Sequence, residues 1–196
     1  MSLFSERFFG EVGMIASQIN ITSVEKLADA LVHVRDVNEG RVFILGVGGS
    51  AGNASHMVND LRKLCGIEAY APTDNVSEIT ARTNDEGFDT IFEEYLRVSR
   101  FNYKDALFVL SVGGGNEEKN VSTGIVKAIK YARTKDGTVL GVVGRNDGYT
   151  YKFADVCVCV PPLIPERITP HSEAFQAVVW HCIVSNPKLQ IKKTKW

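Results

Sequence analysis

The sequence predicts a three-layer α/β/α sandwich, in which a parallel β-sheet of five strands carries helices on both faces. Five short runs are nearly continuous in Val, Ile, Leu and Phe, as strands covered on both faces are: 41–48, 67–72, 106–113, 138–144 and 156–161. Helical patterns separate most of these runs, which is typical of parallel strands joined by crossover helices. The length of 196 residues, 44% of them hydrophobic, suits a single domain, 1–196, with a sizeable core.

The first 40 residues predict a pair of helices ahead of the sheet. Apolar residues recur every three or four positions, at Phe4, Phe8, Val12, Ile15 and Ile19. Asn20 or Thr22 interrupts the pattern, and a second helix runs to Gly40, a residue type favoured just past a helix end. The apolar stripe must be buried against the sheet's own helices or against another subunit. Segment 1–40 is therefore the predicted oligomerisation segment, and 41–196 is the predicted α/β core.

The charge and cysteine patterns argue against several classes of protein. The net charge is −1 and there is no basic run, so nothing indicates a nucleic-acid partner. No apolar stretch approaches the length of a membrane span, and the N-terminus lacks the apolar core of a signal peptide. The four cysteines form no C-x-x-C pair and are predicted to be buried and reduced, as in a cytoplasmic protein: Cys65, Cys157, Cys159 and Cys182.

A glycine-rich turn follows the first predicted strand. Gly48, Gly49 and Ser50 lead into a helix that is predicted to end near Cys65. Glycines let the backbone approach a ligand, and free N–H groups at a helix start favour an anion. The spacing does not match a dinucleotide-binding fingerprint. A small phosphorylated ligand is therefore the functional interpretation, and a plain tight turn is the alternative.

The helix after this turn carries a histidine and a carboxylate on one face. His56 and Asp60 are four residues apart, which places their side chains one turn from each other. Because that face begins near the glycine turn, both groups could point into one cleft as a metal or acid–base site. The alternative is a surface His–Asp pair without a function.

A second candidate lies in the last predicted helix. Glu173, Ala177 and His181 step by four along one face, and Ala177 leaves room for a ligand. A glutamate and a histidine inside so apolar a helix need partners, because a buried charge left alone is costly. The helix with His56 and Asp60 can supply those partners. The four polar groups together also suit a divalent metal such as zinc.

The loop after the third predicted strand is the third candidate. Consecutive glycines after a buried strand predict a backbone cradle for an anion, and the residues concerned are Gly113, Gly114, Gly115 and Asn116. Glu117 and Glu118 oppose an anion site at this loop. Lys119 and the hydroxyl groups of Ser122 and Thr123 could support it.

Two longer motifs carry a resemblance to a known family. The first is "GVGGSAGNASHMVNDL" at 46–61, and the second is "NVSEITARTNDEGFDTIFEEYL" at 75–96. The second contains a spaced pattern at Asn84, Asp85, Gly87, Phe88, Phe92 and Tyr95. With these motifs the chain resembles the sugar isomerase (SIS) domain family and, within it, the phosphoheptose isomerases. The resemblance implies a flavodoxin-like fold, a homotetramer with active sites between subunits, and in many members a zinc ion.

The resemblance also implies a role for each candidate residue. His56 matches the first metal histidine of the family, and Asp60 stands where the family has its catalytic glutamate. Glu173 stands where the family has a glutamine, and His181 matches the catalytic histidine. All four would be metal ligands, and the last three would be catalytic. The resemblance implies substrate contacts for the glycine turn (Gly48, Gly49 and Ser50) and for Asn84 and Asp85. The residues of the second loop are predicted to add Gly113, Gly114, Gly115, Asn116, Lys119 and Ser122 to these contacts.

The chain departs from the family pattern at two places. Val47 replaces the asparagine of the usual first turn. The second loop is a few residues longer, and the hydroxyl residues that hold the phosphate in the family are replaced here by Val112, Gly113, Gly114 and Glu117. The predicted metal set keeps oxygen ligands at both altered positions.

Together these features predict an aldose–ketose isomerase for a sugar phosphate, namely sedoheptulose 7-phosphate and D-glycero-D-manno-heptose 7-phosphate. The pair of Asp60 and Glu173 would supply the base and His181 the acid, and a divalent metal would polarise the reacting oxygens. One alternative is a non-catalytic SIS protein, either an adaptor of the replication initiator or a sugar-phosphate-sensing regulator. Another is an isomerase for a different sugar.

Overall fold

The computed structural model describes residues 3–195 of the chain. Its helices are α1 (Phe4–Gln18), α2 (Ile21–Asp36), α3 (Gly49–Cys65), α4 (Val76–Asp85), α5 (Ile91–Val98), α6 (Thr123–Thr134), α7 (Tyr149–Phe153) and α8 (Ile168–Val184). Its strands are β1 (Val42–Leu45), β2 (Ala69–Tyr70), β3 (Ala106–Ser111), β4 (Thr138–Val143) and β5 (Val156–Cys159). Every predicted strand and both predicted N-terminal helices are therefore present.

The five strands form one parallel sheet in the order β2-β1-β3-β4-β5. This is the order of flavodoxin-like sheets, in which the direction of winding reverses between β1 and β3. The predicted fold class is confirmed. Ligands in such sheets bind beyond the carboxyl ends of the strands, next to the reversal, and the glycine turn and the second loop both lie there.

The sheet separates two apolar layers. In β3, Phe108 and Leu110 face the layer that contains α2, α3 and α8, whereas Leu107 and Val109 face the layer that contains α5 and α6. Successive side chains of a strand point to opposite faces, so an uninterrupted apolar run supplies both layers at once. All the residues of β3 are accordingly buried.

The two N-terminal helices are covered to different extents. The apolar face of α2 is buried in the core through Leu27, Leu31 and Val34. On α1, Ile15 is buried and packs into the core, but Phe9 is 71% exposed. The chain itself therefore buries part of the predicted stripe, and the oligomerisation of this segment stays a prediction.

The cysteines do not share one environment. Burial raises the pKa of the Cys65 thiol to about 11, and Cys157 and Cys159 are half-buried. Cys182 is exposed, so the prediction of a buried thiol is wrong there, because this residue lies on the outer face of α8. Within residues 3–195, no helix has the length and apolar character needed to cross a membrane. The cytoplasmic location stays a prediction.

Candidate active site

Three side chains from α3 and α8 converge where these two helices pack together. His56 and Asp60 lie one turn apart on α3, and His181 lies on the adjacent part of α8. One ligand atom from each residue lies within 4.8 Å of the others, and the two imidazole ring centroids are 5.4 Å apart. The side chains of His56 and Asp60 are 58% and 14% exposed, respectively, and His181 is also exposed. We call these three residues the open cluster.

The hydrogen bond of His181 determines which ring nitrogen is free. Its Nδ1 lies 2.8 Å from the carbonyl oxygen of Ala177, one turn earlier on α8. A carbonyl oxygen only accepts, so Nδ1 carries the proton and donates it, and Nε2 of the neutral ring keeps its lone pair. A backbone carbonyl in this role is common behind metal-binding histidines, because it fixes both the tautomer and the ring orientation.

The carboxylate of Asp60 is held from one side and is open on the other. Its Oδ1 accepts a hydrogen bond from Asn59 Nδ2 at 2.8 Å, and its Oδ2 lies 4.0 Å from His56 Nε2. Two imidazoles and a carboxylate form a donor set used for catalytic zinc, which leaves one position for water or substrate. The same set suits ferrous iron. The open cluster is therefore a possible divalent-metal site.

Glu173 does not belong to this cluster. It precedes His181 by eight residues, which is about 12 Å along a helix axis. Its carboxylate lies against the glycine turn, where a Cβ atom on Gly49 would come within 2.5 Å of Glu173 Oε2. The prediction that four side chains converge is therefore corrected for a single chain, because α8 carries Glu173 to the start of α3 and His181 to its middle. Neither residue is buried, contrary to the expectation from the apolar helix.

The glycine turn has the backbone geometry that the sequence predicts. Gly48 has φ +62° and ψ −129°, a conformation that favours glycine, and α3 begins at Gly49 without a side-chain cap. Gly46 approaches the helix so closely that a Cβ atom would lie 2.3 Å from the carbonyl oxygen of Ser50. The uncapped start of α3 agrees with an anion-binding role, since the first N–H groups of a helix have no partner within it.

The loop after β3 is only partly open as a backbone cradle. Gly114 N–H donates to Ser111 Oγ at 2.9 Å, and Asn116 N–H donates to the carbonyl oxygen of Val121 at 2.8 Å. Two of the four N–H groups expected to surround an anion are thus engaged inside the loop. The prediction that Gly113 to Asn116 cradle a phosphate is therefore weakened.

One of the two acidic residues that oppose an anion at this loop is held by a cation. Glu117 Oε1 accepts a hydrogen bond from Lys130 Nζ on α6 at 2.6 Å. Glu117 therefore faces a cation rather than the N–H groups of the loop. The ion pair removes one source of repulsion toward a phosphate.

A pocket of 470 Å³ lies between the second loop and the glycine turn. Its polar side is the start of α6, which has no side-chain cap, with Ser122 at φ +48°. Its other lining residues are Val47, Phe88, Asp89, Phe92, Asn120, Thr123, Gly124 and Ile125. Lys127 forms an ion pair with Asp89 and holds the pKa of that carboxyl below its ordinary value. Local sequence patterns carry no signal for this ion pair, because its members are 38 residues apart.

Other predicted substrate residues do not line this pocket. Asn84 and Asp85 are exposed at the end of α4, where Asn84 Nδ2 donates to Asp85 Oδ1 at 2.7 Å. Lys119 lines a separate depression of 210 Å³ together with Arg145 and Asp147. The bridge between Asn116 and Val121 folds the loop back on itself and so divides the predicted phosphate-binding set.

A second ionisable cluster joins α1 to the start of α8. Arg167 donates to the Glu11 carboxylate through Nε at 2.8 Å and Nη2 at 2.6 Å, and His171 Nε2 lies 2.8 Å from the same carboxylate. These hydrogen bonds, first from Arg167 and then from His171, lower the pKa of Glu11 to about 2. We call these residues the locked cluster, since Glu11 and His171 are buried. Sequence reasoning missed it, because Glu11 lies 160 residues before its histidine partner.

The fold and the site point to one family. The SIS domain family model matches residues 7–144, which covers the N-terminal helices, the glycine turn, the open cluster's α3 residues and the second loop. The chain belongs to the SIS domain family.

The similar proteins narrow this assignment. A phosphoheptose isomerase from Rhodospirillum rubrum is 32% identical over 149 residues, which cover 74% of this chain and 73% of the relative. One from Helicobacter hepaticus is 28% identical over 166 residues, or 82% and 79% of the two chains. The solved structure of phosphoheptose isomerase GmhA from Neisseria gonorrhoeae has a TM-score of 0.79 at 25% identity, and the match covers 93% of this chain and 98% of that one. The predicted resemblance is confirmed.

Proposed function

We propose that the protein is an aldose–ketose isomerase that interconverts sedoheptulose 7-phosphate and D-glycero-D-manno-heptose 7-phosphate. The observation that carries the proposal is the convergence of His56, Asp60 and His181 within 4.8 Å. A protein that only binds a sugar phosphate has no need for two imidazoles and a carboxylate at one point. The names of the relatives supply the substrate class.

The reaction moves one proton between two carbons and another between their oxygens. A carboxylate base near the carbon and a proton donor near the oxygens are therefore required. Asp60 is the carboxylate within the open cluster, and we assign it the removal of the carbon-bound proton. His181 moves the proton between the oxygens through Nε2, since its Nδ1 is engaged with Ala177.

The open cluster also suits a divalent ion, and we propose zinc. His56 Nε2, His181 Nε2 and an Asp60 oxygen are the donor atoms that would hold it. A bound divalent ion polarises the carbonyl and hydroxyl oxygens and stabilises the enediolate charge. A carboxylate that binds a metal tightly is a poor base, and an imidazole nitrogen bound to a metal cannot carry a proton. The contacts of Asp60 and His181 Nε2 with the ion must therefore be exchangeable during turnover.

For the phosphate we propose the pocket at the start of α6. An uncapped helix start presents N–H groups and the positive end of the helix dipole to an anion. Ser122 and Thr123 lie there, and the negative charge of Asp89 is balanced by Lys127. Ser122→Ala and Thr123→Ala should weaken sugar-phosphate binding, whereas Lys119→Ala should weaken it little. Equal binding of a heptose and its 7-phosphate would contradict the phosphate site itself.

We further propose a homotetramer with active sites between subunits. The exposed aromatic residues Phe4 and Phe9 of α1 support an interface there. Such an assembly would let another subunit's Glu173 reach an open cluster, which a single chain does not allow. Mixing inactive Glu173→Ala and His181→Ala chains should then restore part of the activity. A stable monomer by light scattering, with no restoration on mixing, would contradict both points.

The central experiment is a turnover assay with a panel of ketose phosphates, on protein whose metal content has been measured. We expect conversion of sedoheptulose 7-phosphate that is lost with a chelator and restored by zinc. If a different ketose phosphate alone is converted, the protein is an isomerase for another sugar. If none is converted in the presence of metal, the protein is a non-catalytic member of the family.

A further inference from the structure

A buried tryptophan lies beneath both histidines of the open cluster. Trp180 is 0% exposed. Its ring centroid lies 3.5 Å from that of His181, with the ring planes tilted by 27°, and 4.7 Å from that of His56, with the planes at 68°. One indole therefore contacts both imidazoles, that of His181 near its face and that of His56 edge-on. The edge-on contact with His56 is a favourable arrangement of aromatic pairs.

Packing rather than a polar contact fixes the indole. Trp180 belongs to the same core cluster as Phe175, Val179 and Ile183 of α8. Its Nε1–H is buried and has no hydrogen-bond partner within the described residues 3–195. A buried indole N–H usually has a partner, because leaving it unsatisfied costs stability. The orientation of the indole is therefore not set by a hydrogen bond from its N–H group.

The two imidazoles pack against this ring and have few other restraints. They are exposed, and an exposed side chain loses rotamer freedom when it is fixed in one position by a ligand. His181 has a second restraint in Ala177, whereas the contacts of His56 are the indole, the His181 ring and the distant Asp60 carboxylate. If the buried indole ring restrains both imidazoles before a ligand binds, less conformational entropy is lost on binding.

We propose that Trp180 is a positioning residue, which holds the imidazoles of His56 and His181 in the arrangement that binds a divalent metal ion. The inference rests on the proposed function, in which the open cluster is a metal site. Trp180 does not touch the ion or the substrate, so its effect is exerted through the two histidines. Loss of residues that orient metal ligands typically weakens metal binding 10–100-fold.

The test uses Co²⁺ as the probe and Trp196→Phe protein as the background, so that Trp180 is the one tryptophan. Calorimetry gives the Co²⁺ affinity, and tryptophan fluorescence reports whether the ion binds beside the indole. We expect the fluorescence to be quenched and to saturate at the stoichiometry found by calorimetry. Quenching that is absent while calorimetry detects binding would overturn the placement of the site against Trp180.

Substitutions at Trp180 separate positioning from core packing. Trp180→Leu removes the aromatic wall and should weaken Co²⁺ binding roughly 10–100-fold. Trp180→Phe keeps a flat ring and should restore most of the affinity. The matched control is Phe175→Leu, which removes another buried aromatic ring from α8 and should lower Tm with no change in Co²⁺ affinity. If Trp180→Leu does not fold, Trp180→Met is measured in its place.

The outcomes distinguish this inference from the proposed function. Unchanged affinity in the leucine or methionine variant, with binding intact in the unaltered protein, would overturn the positioning role alone. Equal loss in Phe175→Leu would overturn it as well, because the effect would then belong to the core as a whole. Absence of Co²⁺ binding in the unaltered protein would remove the metal site, and the positioning role with it.

Discussion

Each end of α8 carries a histidine that lies near a carboxylate, but one histidine is buried and the other is exposed. Near its start, His171 is buried and shares the Glu11 carboxylate with Arg167 at hydrogen-bond distances. Near its end, His181 is exposed and lies within 4.8 Å of a carboxylate and a second histidine. Residue type therefore does not separate a histidine engaged in the core from one that is open to a ligand.

Burial and the supply of partners make the difference. In the locked cluster, the Glu11 carboxylate accepts hydrogen bonds from two nitrogens of Arg167 and lies within hydrogen-bond distance of His171. This charged network holds α1 against the body of the protein. The open cluster brings ligand atoms of His56, Asp60 and His181 within 4.8 Å of one another, and both of its histidines are exposed to solvent. A group whose polar atoms are already engaged cannot easily serve a substrate, and this predicts different responses to substitution at the two ends.

The largest expected effect is on activity at the open end. His181→Ala should lower kcat/KM for the ketose phosphate by roughly 10²–10⁴-fold, the usual contribution of a general acid or base. Because His181 is exposed, Tm should change little. His33→Ala is the control, since His33 is an exposed histidine on α2 away from both clusters. Retention of more than about a tenth of the activity in His181→Ala would show that the acid lies elsewhere.

The second prediction concerns metal binding at the same end. Adding Zn²⁺ to chelator-treated protein at 100 times its Kd should stabilise the fold by about 2.7 kcal/mol. In a chain of this size that is a rise in Tm of roughly 5–10 °C. The rise should persist in Glu11→Gln and vanish in Asp60→Asn. A zinc response of equal size in Asp60→Asn, measured by scanning calorimetry, would place the ion at some other site.

The third prediction concerns stability at the locked end. Glu11→Gln should lower Tm by several degrees while leaving the Zn²⁺ affinity unchanged, because Arg167 then keeps its charge without a carboxylate partner. The control is Glu25→Gln, since Glu25 pairs with Lys188 on the surface and exposed pairs contribute little. Thermal unfolding followed by circular dichroism measures both. An equal, small shift in the two variants would mean that the locked cluster does not hold α1.

The smallest expected effect is the pH dependence of that stability. The pKa of Glu11 is lowered from 4.5 to about 2 in the folded protein, so its contribution is present above pH 4.5 and is lost as the pH falls toward 2. The Tm difference between the unaltered protein and Glu11→Gln should therefore be constant near neutral pH and shrink between these two values. A difference that stays constant down to pH 2 would contradict the lowered pKa.

The fold was accessible from the sequence because its signals are local. The five apolar runs, the helical periodicity between them and the glycines at strand ends each lie within a short window, and each was placed correctly. The close approach at Gly46 and the positive φ of Gly48 could likewise be inferred from the presence of glycine after a strand. Fine differences escaped this reasoning, such as the exposure of Cys182 on the outer face of α8.

The site was accessible only in part. The pairing of His56 with Asp60 follows from helical spacing, and His181 is predicted to join them because a polar group on so apolar a helix needs a partner. Spacing also suggested that Glu173 joins them, but eight residues of helix separate it from His181 along the axis. The sequence did not predict that the second loop folds back on itself and separates its predicted phosphate contacts. The hydrogen bonds of Gly114 and Asn116 that cause this form only inside the folded loop.

The sequence by itself determined the layers, the five parallel strands and the residue types available for chemistry. Only the tertiary structure decided which histidine is engaged, since Glu11 meets His171 across 160 residues. It also decided that Trp180 lies under two imidazoles. The physical reason is range: backbone preference and periodicity act between near neighbours in the chain, whereas burial and partner choice depend on residues that only folding brings together.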